Sequence, residues 1–195
     1  MSYKENLESQ IREEYGKLVY SYACHWEEIG ILSGTNSLLN NGEILLTAAS
    51  TTGIVGLLIT NIKIVGIIGA ICSALALAIT LYARDNNIER KISKHQETAD
   101  ELWLIREKYI SLLTDISILD ESEISSMRDE LLERSAIIYK NALPTSQKSY
   151  SNAQMQLKEK GYQYFEQSEL NKMLPEYLRK IEKTRENLSE ANYYK

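Results

Sequence analysis

The sequence predicts an all-α protein: a two-span transmembrane helical hairpin with long cytoplasmic, coiled-coil-like helical extensions. Three observations predict it. The stretch 44–83, ILLTAASTTGIVGLLITNIKIVGIIGAICSALALAITLYA, holds a single charged side chain, Lys63. Two prolines and nine glycines in 195 residues leave room for long helices. On both sides of the apolar stretch, apolar residues recur at spacings of three and four, the period of one helix face.

The apolar stretch divides at Lys63. Residues 44–62 would make roughly 28 Å of helix and residues 64–83 roughly 30 Å, each close to the thickness of a bilayer's hydrocarbon core. Asn61, Ile62 and Lys63 then form a tight turn. The alternative is a helical hairpin buried in a soluble protein. Helices of that kind keep a polar stripe, and neither half has one that includes a charge. Mean hydropathy over the whole chain is −0.31, so the remainder is distinctly polar. The net charge of −5 lacks the basic face that nucleic-acid binding requires. Cys24 and Cys72 form no CxxC spacing, and Cys72 falls inside the second span, which removes zinc and disulfide readings. The first apolar segment starts too late for a cleavable signal peptide, so insertion would rely on the hairpin itself.

Taken in order, residues 1–36 read as an amphipathic cytoplasmic helix. Leu7, Ile11, Tyr15, Leu18, Tyr22, Trp26 and Ile29 form its apolar stripe, and Glu5, Arg12, Glu13, Lys17 and Glu27 face away. Gly30, Ser33, Gly34, Thr35 and Asn36 predict a break, with a new helix starting near Ser37 and running into the first span. Residues 37–83 form the hairpin. Residues 84–160 form a cytoplasmic helical region that continues the second span. Its stripe runs through Ile88, Ile92, His95, Ala99, Leu102, Ile105, Tyr109, Leu112 and Ile116 with no Gly or Pro, which predicts one helix of about 50 residues folding back on the first. Asp120 and Glu123 have the spacing of a capping box. Ile124, Met127, Leu131, Ser135, Ile138 and Ala142 give the buried face of the helix that follows. Leu143 and Pro144 turn the chain, and Thr145 or Ser146 caps a short helix through Tyr150, Ala153 and Leu157. Residues 161–195 form a charged helical tail interrupted by Pro175, with Leu170, Leu174, Leu178, Ile181 and Leu188 as its apolar positions.

Arg84, Arg90 and Lys91 follow the second span and act as basic interface anchors, so both termini are placed on the cytoplasmic side of the membrane. The flank 19–62 contributes no Lys or Arg to that argument. Within the spans, Ala49, Gly53 and Gly56 lie on one face of the first helix, and Gly66, Ala70, Ala74 and Ala78 form a ridge on the second. Such ridges serve close packing in lipid, either within the hairpin or between copies of the chain. Hydroxyls occupy other faces. Glu43, Thr47 and Ser50, flanked by Thr51, and then Ser73 and Thr80 would line a narrow aqueous path if hairpins ring together, with Glu43 favouring cations at its mouth. The competing reading is that the hydroxyls bond their own helix carbonyls. Thirteen tyrosines against one phenylalanine suit partly dry helix interfaces, with Tyr82 placed at the membrane surface. His25 and His95 are read as packed or surface residues, which an antiparallel pair of helices could bring near one another close to the membrane. No catalytic constellation, phosphate loop or metal spacing stands out, so neither an enzyme nor a cofactor is expected.

The WEEIGILSG segment before the spans, the small-residue hairpin, the RDNNIERKISKHQETADELW continuation and the later LPTSQKSYSNAQMQL segment together resemble the SLATT superfamily of bacterial two-transmembrane effectors. The resemblance covers roughly residues 5–157 and lies in architecture more than in motifs. It implies an effector of antiviral defence in the bacterial cytoplasmic membrane. Its partners would be the lipid bilayer, further copies of itself, and a protein encoded nearby: a nucleotide-signal synthase, a sensor or a reverse transcriptase. Such an effector would form a pore or disrupt the inner membrane and arrest the infected cell. The rival function is a non-enzymatic anchor that recruits a defence partner through its cytoplasmic helices. A soluble helical scaffold is the third. The family carries no catalytic residues to transfer.

Overall fold

A computed structural model describes residues 2–159, 167–176 and 179. Six helices follow one another: α1 (Tyr3–Thr60), α2 (Lys63–Asn86), α3 (Ile88–Asp115), α4 (Glu121–Asn141), α5 (Gln147–Glu159) and α6 (Gln167–Met173). No strand occurs among the described residues. Much of the predicted tail, including Tyr162, Tyr164, Leu178, Ile181 and Leu188, lies outside them.

The turn falls where the sequence places it. Asn61 ends α1 in the left-handed region at φ 55°, its N–H bonded to Leu57 O at 2.9 Å, and Ile62 is extended. Asparagine tolerates that conformation better than most residues. The chain then returns along α1. Thr80 meets Glu43, His95 meets His25, and Lys4 Nζ donates to Leu119 O at 2.8 Å, so one antiparallel register holds from the turn to the N-terminus.

Two helix boundaries differ from expectation. The break at Gly30 to Asn36 is absent, and α1 runs unbroken for 58 residues. Each glycine costs a helix about 1 kcal/mol relative to Ala, but Leu32, Asn36 and Leu39 lie half-buried along this stretch. Packing of that face offsets the local propensities. Thr35, a potential cap, instead donates its hydroxyl to Ile31 O at 3.0 Å. The predicted 50-residue returning helix is in turn divided. Asn87 takes φ 49° between α2 and α3, its N–H reaching Arg84 O at 3.2 Å.

Beyond the spans, α1, α3 and α4 enclose a core of Leu7, Ile11, Leu18, Leu102, Ile105, Tyr109, Leu112, Ile124, Leu131 and Ile138. The predicted capping box is present: Glu123 N–H donates to Asp120 Oδ1 at 2.8 Å, and Asp120 N–H to Glu123 Oε2 at 3.1 Å. Two expected core residues are exposed, Met127 on α4 and Trp26 on α1. At the Trp26 turn, the stripe of α1 buries His25 and Glu28 instead. α5 packs on α1 through Ala153, against Ala23 and Cys24.

The apolar helices are long enough to cross a membrane, and only 11% of each hydrophobic window is buried. Isoleucines and leucines such as Ile44, Leu58, Ile59 and Ile64 point outward. A soluble core hairpin would be mostly covered. This one presents its apolar side chains on the outside, as lipid-facing helices do.

Candidate functional site

Polar and small residues converge at two places, the seam of the hairpin and a clasp on the water side. At the seam, Gly53 faces Gly69. A Cβ added to Gly53 would stand 2.8 Å from Gly69 Cα and 3.0 Å from Val65 O, and one added to Gly69 would stand 3.0 Å from Ser50 O. The two helices therefore meet backbone to backbone, the close approach by which helices gain packing in lipid. Gly56 and Gly66 flank this point. A Cβ on Gly56 would lie 3.0 Å from Val65 Cγ1, and one on Gly66 2.6 Å from Leu57 Cδ2.

The seam side of α2 carries Val65, Gly69, Cys72, Ala76, Ile79 and Ala83, none of them fully exposed. Ala70, Ala74 and Ala78 are exposed on another face, as is Ala49 on α1. The predicted small-residue sets are thus divided: Gly53, Gly56 and Gly66 serve the hairpin, and the alanines do not.

The hydroxyl residues divide too. Ser50 is buried in the seam, while Thr47, Thr51, Ser73 and Thr80 are exposed. Thr51 Oγ1 donates to Thr47 O at 3.0 Å, the self-bonding expected of hydroxyls in a membrane helix. Thr80 Oγ1 lies 2.8 Å from Glu43 Oε1 and 3.0 Å from Ala76 O. Glu43 and Thr80 therefore meet across the hairpin. Arg84, Arg90 and Lys91 are all exposed around the joint at Asn87.

The clasp is centred on His25 and His95. Both are buried, with Nδ1 atoms 2.8 Å apart and ring centroids at 5.0 Å. One Nδ1 carries the shared proton and the other accepts it, so the two rings hold opposite tautomers. Burial, and after it the neighbouring His95, lower His25 to about 4, against a smaller opposing pull from Glu28. His95 is lowered for the same first reason.

Glu28 lies a turn along α1 and reaches the start of α5. Its Oε2 accepts from Ser146 N–H at 2.8 Å and from Ser146 Oγ at 2.6 Å. Burial alone would raise the Glu28 carboxyl. The Ser146 donors, Ser149 and the neighbouring His95 outweigh it, and the group sits below the usual carboxylate range. Ser149 N–H donates to Ser146 Oγ at 3.2 Å, so Ser146 caps α5 while Glu28 holds the cap. Beside the clasp lies a cavity of about 460 Å³, bordered by Tyr20, Cys24, His25, Tyr139 and Tyr150. Burial pushes the Cys24 thiol up, which leaves it a packing residue more than a nucleophile.

The histidine pair joins residues 70 positions apart, and neither has a partner within its own helix. The signal that finds it is register: the two stand at nearly equal distances from the turn at Asn61. No group of three or more metal-binding side chains occurs among the described residues.

A long helical hairpin with outward apolar spans and a packed helical bundle at its open end defines the class, a two-span membrane protein with a water-side helical part. Within that class the chain belongs to the family described as SMODS and SLOG-associating 2TM effector domain family 4, which it matches over residues 7–169. No curated protein and no solved structure matches the chain.

Proposed function

We propose that the chain is a membrane effector of a bacterial antiviral defence system. It sits in the cytoplasmic membrane with both termini inside, assembles into a homo-oligomer, and forms a pore or disrupts the bilayer to arrest an infected cell. One observation carries the assembly: Ala70, Ala74 and Ala78 form a ridge that the chain's own hairpin leaves uncovered. Small residues four apart on a lipid-facing helix give a second helix a surface for close approach. In a ring of hairpins, Glu43, Thr47, Thr51, Ser73 and Thr80 would border the aqueous path. Ser50 would join them only if the seam opened. A protein encoded nearby, such as a nucleotide-signal synthase, a sensor or a reverse transcriptase, would supply the trigger. No catalytic step is assigned to the chain.

The test is induction in bacteria together with the neighbouring genes, read with a membrane-potential dye. Depolarisation in the native chain and its loss in Ala74→Leu are expected. Unchanged potential during active defence would sink the pore.

The bonding of Glu43 to Thr80 favours a second reading, because these polar groups are satisfied within one hairpin without any channel. On that reading the spans anchor, and the water-side helices recruit a defence partner. Replacing residues 37–83 with an unrelated two-span anchor separates the two. Defence survives the exchange if the spans only anchor.

A further inference from the structure

The joint at Asn87 creates a concavity that neither the seam nor the clasp uses. It measures about 400 Å³ and is bordered by Asn36 and Asn40 on α1, Ala83 and Arg84 at the end of α2, and Asn87, Ile88, Glu89 and Arg90 at the start of α3. It exists because α1 passes straight through this level while the returning chain breaks. The left-handed turn at Asn87 separates α2 from α3, and Ile88 packs inward to form the floor at 5% exposure.

Its chemistry points to an anion. Arg84 and Arg90 both line the space, and neither guanidinium has an ion-pair or hydrogen-bond partner among the described residues. Glu89 is the one acidic side chain on the rim. Asn36 and Asn40 add amide donors from the opposite helix. The side chain of Asn87 does not cap α3; it donates to Asp85 O at 3.1 Å, so the first amides of α3 face this region without a side-chain cap. Arginine with amide donors suits the oxygens of a phosphate group.

Position names the source of that phosphate. The concavity opens at the level where the apolar span ends, with exposed Leu81 and Tyr82 on the membrane side and Lys91 on the water side. That is the depth of lipid headgroups. We propose that this concavity is a binding site for the phosphate diester of one anionic phospholipid per chain, held by Arg84 and Arg90 with Asn36 and Asn40. The proposal rests on the membrane reading. It makes Asn87 a joint whose two sides a single lipid bridges, which a diffuse attraction of basic residues to the membrane would not do.

The test uses the full chain, first recovered from carbonate-washed membranes and then purified in mild detergent. Absence from the washed membranes refutes the membrane reading itself, separately from the site. Native mass spectrometry then reads occupancy with phosphatidylglycerol, with phosphatidylcholine, and with phosphatidylglycerol in the presence of inorganic phosphate. One phosphatidylglycerol per chain is expected, retained under activation that strips phosphatidylcholine. In the Arg84→Gln, Arg90→Gln double variant, retention falls at least fivefold. Asn40→Leu, which fills the concavity from an exposed position, lowers it as well. Lys94→Gln removes a charge of the same sign one turn further along α3, from an exposed side chain outside the concavity, and leaves retention unchanged. Equal losses in Lys94→Gln and Arg90→Gln would reduce the effect to general surface charge and overturn the site. Displacement of the lipid by millimolar inorganic phosphate would overturn the lipid as its occupant.

Discussion

The two halves of the antiparallel helix pair solve the same problem with opposite materials. At the membrane end, α1 and α2 touch through Gly53, Gly69 and the Ser50 backbone, with Leu57, Val65 and Ile79 seated against glycines of the facing helix, while most of their other large side chains point outward. At the water end, α1 and α3 are joined through large side chains, with Ile11, Leu18, Leu102, Tyr109 and Leu112 almost wholly enclosed. Trp103 there packs against Tyr22 with tilted rings, centroids 5.3 Å apart, and carries the Arg106 guanidinium 4.4 Å from its ring centroid. The difference follows from the solvent. Water rewards burial of apolar area. Lipid does not, so helices in it associate by close backbone packing and by the few polar contacts they share. Glu43 with Thr80 is such a contact at the membrane end, and the histidine pair is its counterpart at the other.

Four changes would break or sharpen this contrast. The largest effect is expected from Tyr109→Ala. Emptying an enclosed aromatic site costs about 3–5 kcal/mol, and the loss should appear as a lower unfolding midpoint of the water-side helices with the hairpin still formed. Gly53→Leu makes the opposite error. It inserts bulk against backbone that has no side chain to move, and should cost about 1–3 kcal/mol or more. Thermal unfolding in detergent reads it. An unchanged midpoint would mean that the seam is not closely packed.

Acid is the third. His25 and His95 both bind protons less readily in the folded chain than the ordinary histidine value of 6.5. Between that value and about 4, the unfolded chain therefore holds more protons, and stability falls as pH falls. Well above 6.5, where the unfolded histidines are neutral too, the pair contributes no pH dependence. Glu28 is depressed as well, so its contribution is lost only lower, as pH falls through and below the ordinary carboxylate value of 4.5. The interval from 6.5 to 4.5 isolates the histidines. A melting-temperature profile that slopes there in the native chain should be flatter in His25→Gln. The smallest effect is expected from Asn87→Gly. Glycine accepts a positive φ without strain, so the joint should gain at most about 1 kcal/mol.

The reach of sequence reasoning follows from how local each signal is. The pair of apolar helices, the turn at Asn61 and the Asp120 capping box are each written in adjacent residues, and each is found where it was expected. Asn87 is not legible as the joint, because Asp85, Asn86 and Asn87 are all weak helix formers and nothing in the sequence singles out which of them, if any, turns left-handed. The run from Gly30 to Asn36 misleads for the converse reason. Its cap-forming residues signal a stop that packing along the other face overrides. The ridge of Ala70, Ala74 and Ala78 is equally regular whether it faces its own hairpin or a neighbour. Only the rotation of α2 about its axis separates those cases, and periodicity does not specify rotation. Glu28 reads as one of two adjacent acids, and its bond to Ser146 spans 118 positions.

The unbroken course of α1 has a mechanical consequence. At 1.5 Å per residue its 58 residues make a strut roughly 87 Å long, while the chain that returns beside it is hinged once, at Asn87. Along α1 there is no joint between the water-side helices and the far turn, so one continuous helix connects them, while the returning chain changes direction at Asn87. Gly53 against Gly69 is the point along that connection where the two backbones meet with no side chain between them.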